Sequence, residues 1–305
     1  MNWRKSSILR KSVALAQEPG RRWRAWRATE ADYRAHPPVI CNSFPKSGTH
    51  LLVQVLEALP GVTNRGAFLA SIPSVTFRER SPEAMAARIQ RIGPGELVSA
   101  HLHHHPLCAE ALRRKNAVHY FIYRDLRDVA ISEAYYLTNM NRWHRLHRYY
   151  RGLPDDHTRI AWAITGEKDP AFPFDYPDIG QRFARFHPWL SDPSVCTVRF
   201  EDLVGPQRRT TIERIVRHYL DAAKMPADDL ASLVSRAESA IDPRRSHTFR
   251  SGKSGGWRHT LTDEHIRLID AVAGTWLRQL GYATDGEGEA LSSSDPPPAM
   301  RHPPA

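Results

Sequence analysis

Three cysteines occur in 305 residues: Cys41, Cys108 and Cys196. They are far apart and odd in number, which excludes a disulfide framework and a Cys-x-x-Cys metal site. No run of about 18 apolar residues exists, so a transmembrane span is excluded. No segment repeats at a fixed period, which removes solenoids and propellers. A secretory leader is missing too: after Arg4 and Lys5 the only apolar stretch is Ser-Val-Ala-Leu-Ala at 12–16, and Arg10 and Lys11 interrupt it. With 41% hydrophobic and 25% charged residues the composition is ordinary, so disorder, collagen and fibres fall away. What remains is a soluble, cytoplasmic protein of one large or two small domains.

Negative charge is also short. Asp plus Glu number 33 against 43 Lys plus Arg, a net +10. The partner is therefore an anion: a phosphate, a sulfate or a nucleic acid. Residues 1–36 hold nine basic and three acidic residues, with Trp3, Trp23 and Trp26 among the arginines. We read this part as a basic, helical N-terminal arm, a solvated surface helix before a membrane or nucleic-acid patch. Residues 285–305 are Pro- and Ser-rich and read as a disordered tail. The folded domain is placed at 37–284.

Within it, short apolar runs alternate with helical patterns. Strands are predicted over Val39–Phe44, Glu96–His101, Val118–Tyr123 and Val195–Phe200. Helices are predicted from Gly48 to Leu59, from about Asp128 to Tyr136, around 206–220, and from Thr262 to Gly281. The fold class is α/β: a central parallel sheet flanked by helices on both faces, with ligands at the carboxyl ends of the strands.

Three segments carry chemistry. The first, Ser43-Phe44-Pro45-Lys46-Ser47-Gly48-Thr49-His50, joins the first strand to its helix. Helix-start N–H groups from Ser47 to His50, the helix dipole, Lys46 and the Thr49 hydroxyl make a small anion cradle. It is not a Walker A loop, because Lys46 precedes Gly48 and no second upstream glycine exists. The second, Arg124-Asp125-Leu126-Arg127-Asp128-Val129-Ala130-Ile131-Ser132, puts an arginine at a strand end and a hydroxyl one to two turns into a helix. Arg suits a two-pronged grip on phosphate, but Arg124 and Arg127 could equally pair with Asp125 and Asp128. The third, Arg250-Ser251-Gly252-Lys253-Ser254-Gly255-Gly256-Trp257, reads as a loop that closes over an anion, or as a flexible basic linker.

Together these segments make the sequence resemble the PAPS-dependent sulfotransferase family, PAPS being 3′-phosphoadenosine 5′-phosphosulfate. That family carries a Pro-Lys-Ser-Gly-Thr loop, an Arg followed eight residues later by Ser, and a late Gly-x-x-Gly-x-Trp segment. The resemblance covers roughly residues 37–283. It implies a P-loop-like phosphosulfate-binding strand-loop-helix and PAPS as sulfuryl donor, with no metal. Lys46 would hold the bridging oxygen, and Ser47, Gly48, Thr49 and His50 the 5′-phosphate. Arg124, Ser132, Arg250, Ser251 and Gly252 would hold the 3′-phosphate, with Ser132 also counted beside Lys46 in the catalytic group. Phe200 would sit where the family often has Tyr beside the adenine. The chain departs from the family at Leu51, where many members have an adenine-stacking Trp. The family's dimer segment would fall at 258–267, where only Thr262 matches, so the oligomeric state stays open.

Sulfuryl transfer to an acceptor needs a base. His101 ends a predicted strand, on the same face as Ser99, and matches the family's basic His. His50 and then Glu57 are weaker candidates. The His101, His103, His104, His105 run cannot surround one ion, because consecutive residues alternate direction. The expected acceptor is a hydroxyl or amine of a small molecule, sugar or lipid, bound by segments near 62–80, 103–108 and 137–180. The last is rich in Tyr135, Tyr136, Trp143, His144, Arg145, His147, Arg148, Tyr149 and Tyr150. A P-loop nucleotide kinase or hydrolase is the alternative, with a nucleic-acid-binding protein ranked behind it. No nucleic acid partner is expected.

Overall fold

The computed structural model describes residues 7–242 and 254–282, with side chains from residue 16 onward. Among the described residues, five strands form one sheet in the order β2-β3-β1-β4-β5, with every neighbouring pair parallel. The strands are β1 (Val39–Ser43), β2 (Thr63–Ala70), β3 (Glu96–His101), β4 (Val118–Tyr123) and β5 (Val195–Arg199). Four are the predicted ones. The predicted fourth strand stops at Arg199, and Phe200 instead opens a short helix.

Strand side chains alternate between two cores. Val39, Cys41, Val118, Tyr120 and Ile122 face α3 (Thr49–Leu56), α11 (Arg208–Ala223) and α12 (Leu230–Ser239). Ile40, Val98, Ala100 and Phe121 face the other layer. There α4 (Pro82–Ile89), α5 (Pro106–Arg114), α6 (Leu126–Tyr135), α8 (Asp156–Thr165), α9 (Ile179–Ala184) and α13 (Asp263–Gln279) pack. Truncating one of these fully buried aliphatic or aromatic side chains to Ala should cost about 2–5 kcal/mol.

β1 lies between β3 and β4. The chain leaves β1 toward one edge of the sheet, through α3, β2 and β3, and then crosses to β4 on the other side. The carboxyl end of β1 is thus a topological switch point, where open α/β sheets hold their ligands. The N-terminal helices are α1 (Ser7–Arg27) and α2 (Glu30–Ala35), the latter with a Thr29–Asp32 capping box. Shorter helices α7 (His147–Gly152) and α10 (Phe200–Val204) complete the labels used below.

Candidate active site

The cradle forms where β1 runs into α3. Lys46 takes φ +69° and Gly48 φ +101°, the left-handed region. Gly48 is demanded twice over: a Cβ there would sit 2.5 Å from Phe200 Cδ2. One expectation needs correction. The Ser47 N–H is not available to a ligand, because it donates to the Phe44 carbonyl at 3.2 Å. What Ser47 does offer is its hydroxyl, which is fully buried and has no hydrogen-bond partner. A buried hydroxyl without a partner is costly unless a ligand satisfies it.

His101 ends β3 directly beside this loop. Its Nδ1 donates to the Ser43 carbonyl at 3.1 Å, which fixes the tautomer and leaves Nε2 as the basic nitrogen. The Ser43 hydroxyl lies 3.1 Å from the same Nδ1 and 2.6 Å from Thr49 Oγ1. His101 and the loop are therefore one connected unit through Ser43. Burial, reinforced by the Lys46 charge, pushes the imidazole down to about 4. Burial also pushes the Lys46 ammonium down to about 7; Glu133 opposes this fall and Arg124 adds to it. Lys46 Nζ stands 3.8 Å from the Tyr136 ring centroid.

Asn42 sets the distance between the two strand ends. Its side chain is fully buried in an otherwise apolar strand. Nδ2 donates to the Leu102 carbonyl (3.1 Å), and Oδ1 accepts from the Leu102 and Ser43 N–H groups (both 2.9 Å). The parallel ladder ends at the Asn42–Ala100 pair, and the Asn42 amide extends it by one more residue. Trp189 Nε1 also donates to the Leu102 carbonyl, at 2.9 Å.

On the other side, Arg124 stands at the end of β4 with its guanidinium 4.4 Å from the Phe200 ring centroid and 3.2 Å from Asp128 Oδ2. Asp128 also accepts from the Gly255 N–H (2.9 Å) and the Trp257 N–H (3.0 Å), so it fastens the late glycine segment to the start of α6. Arg127 has a structural role: it is buried, paired with Asp125 at 2.8 Å, and stacked 3.7 Å from the Trp257 ring centroid. Both arginines thus make the ion pairs expected of them, Arg124 with Asp128 and Arg127 with Asp125, but inside the protein and not on its surface. Arg250, Ser251 and Gly252 lie outside the described residues.

A cavity of about 480 Å³ unites the parts. Its lining includes Lys46, Gly48, Thr49, His50, Arg124, Ser132, Phe200 and Gly256. His101 lines it too, with an aromatic chamber wall of Phe68, Phe77, Tyr136, Tyr176 and Phe186. The three segments expected to bind the acceptor each reach this chamber. Of the nine residues singled out in the 137–180 region and just before it, only Tyr136 and His144 do so. Tyr150 is instead buried in the core, 2.5 Å from the Tyr176 hydroxyl. Glu57 bonds Asn64 at 2.7 Å and is not among the residues lining the cavity. Sequence reasoning passed over Asn42 and the β2 residue Phe68, whose ring meets that of His101 edge-on at 5.1 Å, and took Asp128 only as an ion-pair partner. Only Asn42 carried a usable signal, as a lone amide inside an apolar strand. Among the described residues no three His, Cys, Asp or Glu side chains are grouped to hold a metal ion.

A glycine-bearing strand-to-helix loop at a switch point, with His101 beside it and an aromatic-lined cavity around it, is a ligand-binding site of an α/β protein. The sulfotransferase domain model matches residues 36–281, and the chain belongs to that family. It is 24% identical over 278 residues to flavonol 3-sulfotransferase of Flaveria bidentis, covering 80% of this chain and 83% of that protein. Its fold is similar to that of mouse sulfotransferase SULT7A1 complexed with PAP (TM-score 0.53, 17% identity, 82% and 86% of the two chains). It is also similar to retinol dehydratase in complex with androsterone and the inactive cofactor PAP (TM-score 0.51, 12% identity, 88% and 86%). Among the described residues no helix is long and apolar enough to cross a membrane.

Proposed function

We propose that this protein transfers a sulfuryl group from PAPS to a hydroxyl on a small, largely apolar acceptor. The observation that carries the reading is the Ser43 link, which holds a neutral His101 within the same hydrogen-bonded unit as the Thr49 cradle. When bound, PAPS supplies an activated sulfuryl group with a phosphate leaving group. The residues fit it: Ser47 has a buried hydroxyl to satisfy, and Lys46 brings a cation. Lys46 would steady the leaving oxygen, the start of α3 with Thr49 and His50 the 5′-phosphate, and Arg124 and Ser132 the 3′-phosphate. Arg250, Ser251 and Gly252 would complete that second grip. Phe200, already packed between Gly48 and Arg124, walls the nucleoside side.

His101 Nε2 takes the acceptor hydroxyl proton while the Ser43 carbonyl holds the other ring nitrogen. An anion that offsets the Lys46 charge removes one cause of the low His101 pKa, so the base strengthens as the site fills. The aromatic chamber of Phe68, Phe77, Tyr136 and Tyr176 favours a flat or greasy acceptor over a free sugar. The three cysteines are buried free thiols, which suits the reducing cytoplasm. The test is binding followed by turnover. PAP should raise the melting temperature and ATP·Mg should not, and radiolabelled PAPS should label a phenol or lipid alcohol in an acceptor screen. His101→Ala should retain PAP binding and lose labelling. Stabilisation by ATP·Mg alone would overturn the reading in favour of a nucleotide kinase or hydrolase.

A further inference from the structure

α1 meets the body of the protein along one side only. Arg21 pairs with the buried carboxylate of Glu96 at the start of β3, and Arg24 and Ala25 lie against Gly93. Trp23 and Trp26 point away from this seam, 54% and 81% exposed. They are three residues apart and share a helix face. Six Lys or Arg and one Glu lie within Ser7–Arg27, and the Arg27 guanidinium sits 4.9 Å from the Trp23 ring centroid.

Two exposed indoles flanked by arginines, on a helix held to its domain by the opposite side, match what an anionic lipid surface selects. Indole rings settle at the headgroup level, and arginines meet the acidic headgroups. We propose that α1 is a membrane-surface docking helix which seats this protein on anionic bilayers through Trp23, Trp26 and the arginines beside them. The helix lies in the interface and does not span it. The seam to Glu96 fixes the body's orientation on the bilayer, since Arg21 is held there and Arg22 and Arg27 remain for headgroups.

The test uses the full chain in flotation with phosphatidylcholine vesicles, with and without phosphatidylserine. Recovery should require phosphatidylserine and should collapse in high salt. Trp23→Ala with Trp26→Ala should abolish most of the recovery, and each of Arg22→Ala and Arg27→Ala should weaken it by about fivefold. PAP-induced thermal stabilisation should be unchanged in all of these, because none of the residues lines the cavity. Failure of the wild-type chain to float with phosphatidylserine, or equal flotation of the Trp double variant, would overturn the proposal. So would binding of duplex DNA, or a dimer in solution, that the same Trp variants abolish while vesicle binding is absent.

Discussion

Asn42→Ala should be among the most damaging substitutions in the chain, although Asn42 need not touch any ligand. The amide makes three hydrogen bonds, all to buried backbone. Their loss is uneven. The Leu102 carbonyl keeps Trp189 as a donor, so it stays satisfied. The Leu102 and Ser43 N–H groups lose their acceptor entirely. Each orphaned buried N–H costs about 1–3 kcal/mol, so the pair costs about 2–6 kcal/mol. A water entering the space that the amide vacates would bring the cost toward the lower figure. Against a total stability of about 5–15 kcal/mol this is a large fraction. The same change loosens the end of β3 from β1, leaving the Ser43 bonds to Ala100 and His101 as the remaining side-chain ties there. A shift of about 1 Å at a catalytic group costs about 10²-fold in rate. Urea denaturation would report the stability loss, and single-turnover labelling with PAPS the rate. Asn42→Asp separates the effects: its carboxylate still accepts from both N–H groups but cannot donate to Leu102 unless protonated. It should therefore be more stable in mild acid than at neutral pH, relative to the parent. A loss below about 0.5 kcal/mol in Asn42→Ala, with unchanged turnover, would refute the argument, because surface-like substitutions cost no more than that.

Gly48→Ala should weaken PAP binding by tenfold or more and destabilise the fold by at least about 1–2 kcal/mol, from its positive φ alone. Adding Phe200→Ala should recover only the part due to the 2.5 Å clash, which calorimetry on the double variant would read. Lys46 titrates near 7 in the free protein, so anion binding must take up a proton above that pH. PAP affinity should then fall by up to tenfold per pH unit between 7 and 9, and should be flat there in Lys46→Met. Burial lowers His101 to about 4 and His119 to about 3. The unfolded chain binds their protons first as pH falls below about 6.5, so stability should drop from there toward pH 4. A melting temperature that is constant across that window would contradict the burial of both rings. Asp128→Ala should free the Gly255–Trp257 segment and weaken PAP binding, measured alongside Arg124→Ala to separate loop anchoring from direct charge.

How far sequence reasoning reached depends on what each residue's role rests on. The cradle was legible because its chemistry is local: a lysine, a glycine and two hydroxyls within eight residues at a helix start need no tertiary information to read as an anion site. The start of α13 was legible for the same reason. Thr262 caps it by accepting from the His265 N–H, a signal carried within four residues. β2 was missed because Thr63–Ala70 is an edge strand with a left-handed Gly66 and a register break between Asn64 and Ala67. Its half-exposed, polar first half shows neither alternation nor an apolar run, although it brings Phe68 to the His101 ring. The aromatic stretch after residue 135 misled in the opposite direction. Composition marks it as a binding segment, yet which ring faces a chamber and which faces the core is decided by a single helical turn at Tyr136–Met140 and by the six-residue α7, each too short for a period to show. Asn42 falls between these cases. An amide inside Val-Ile-Cys-Asn-Ser looks like a blemish in a strand, and it becomes interpretable only when Leu102, sixty residues on, is seen to need the partners it offers. A lone amide or acid inside an apolar strand should therefore be read as a demand for a distant backbone partner, and a search for that partner should start at the neighbouring strand's end.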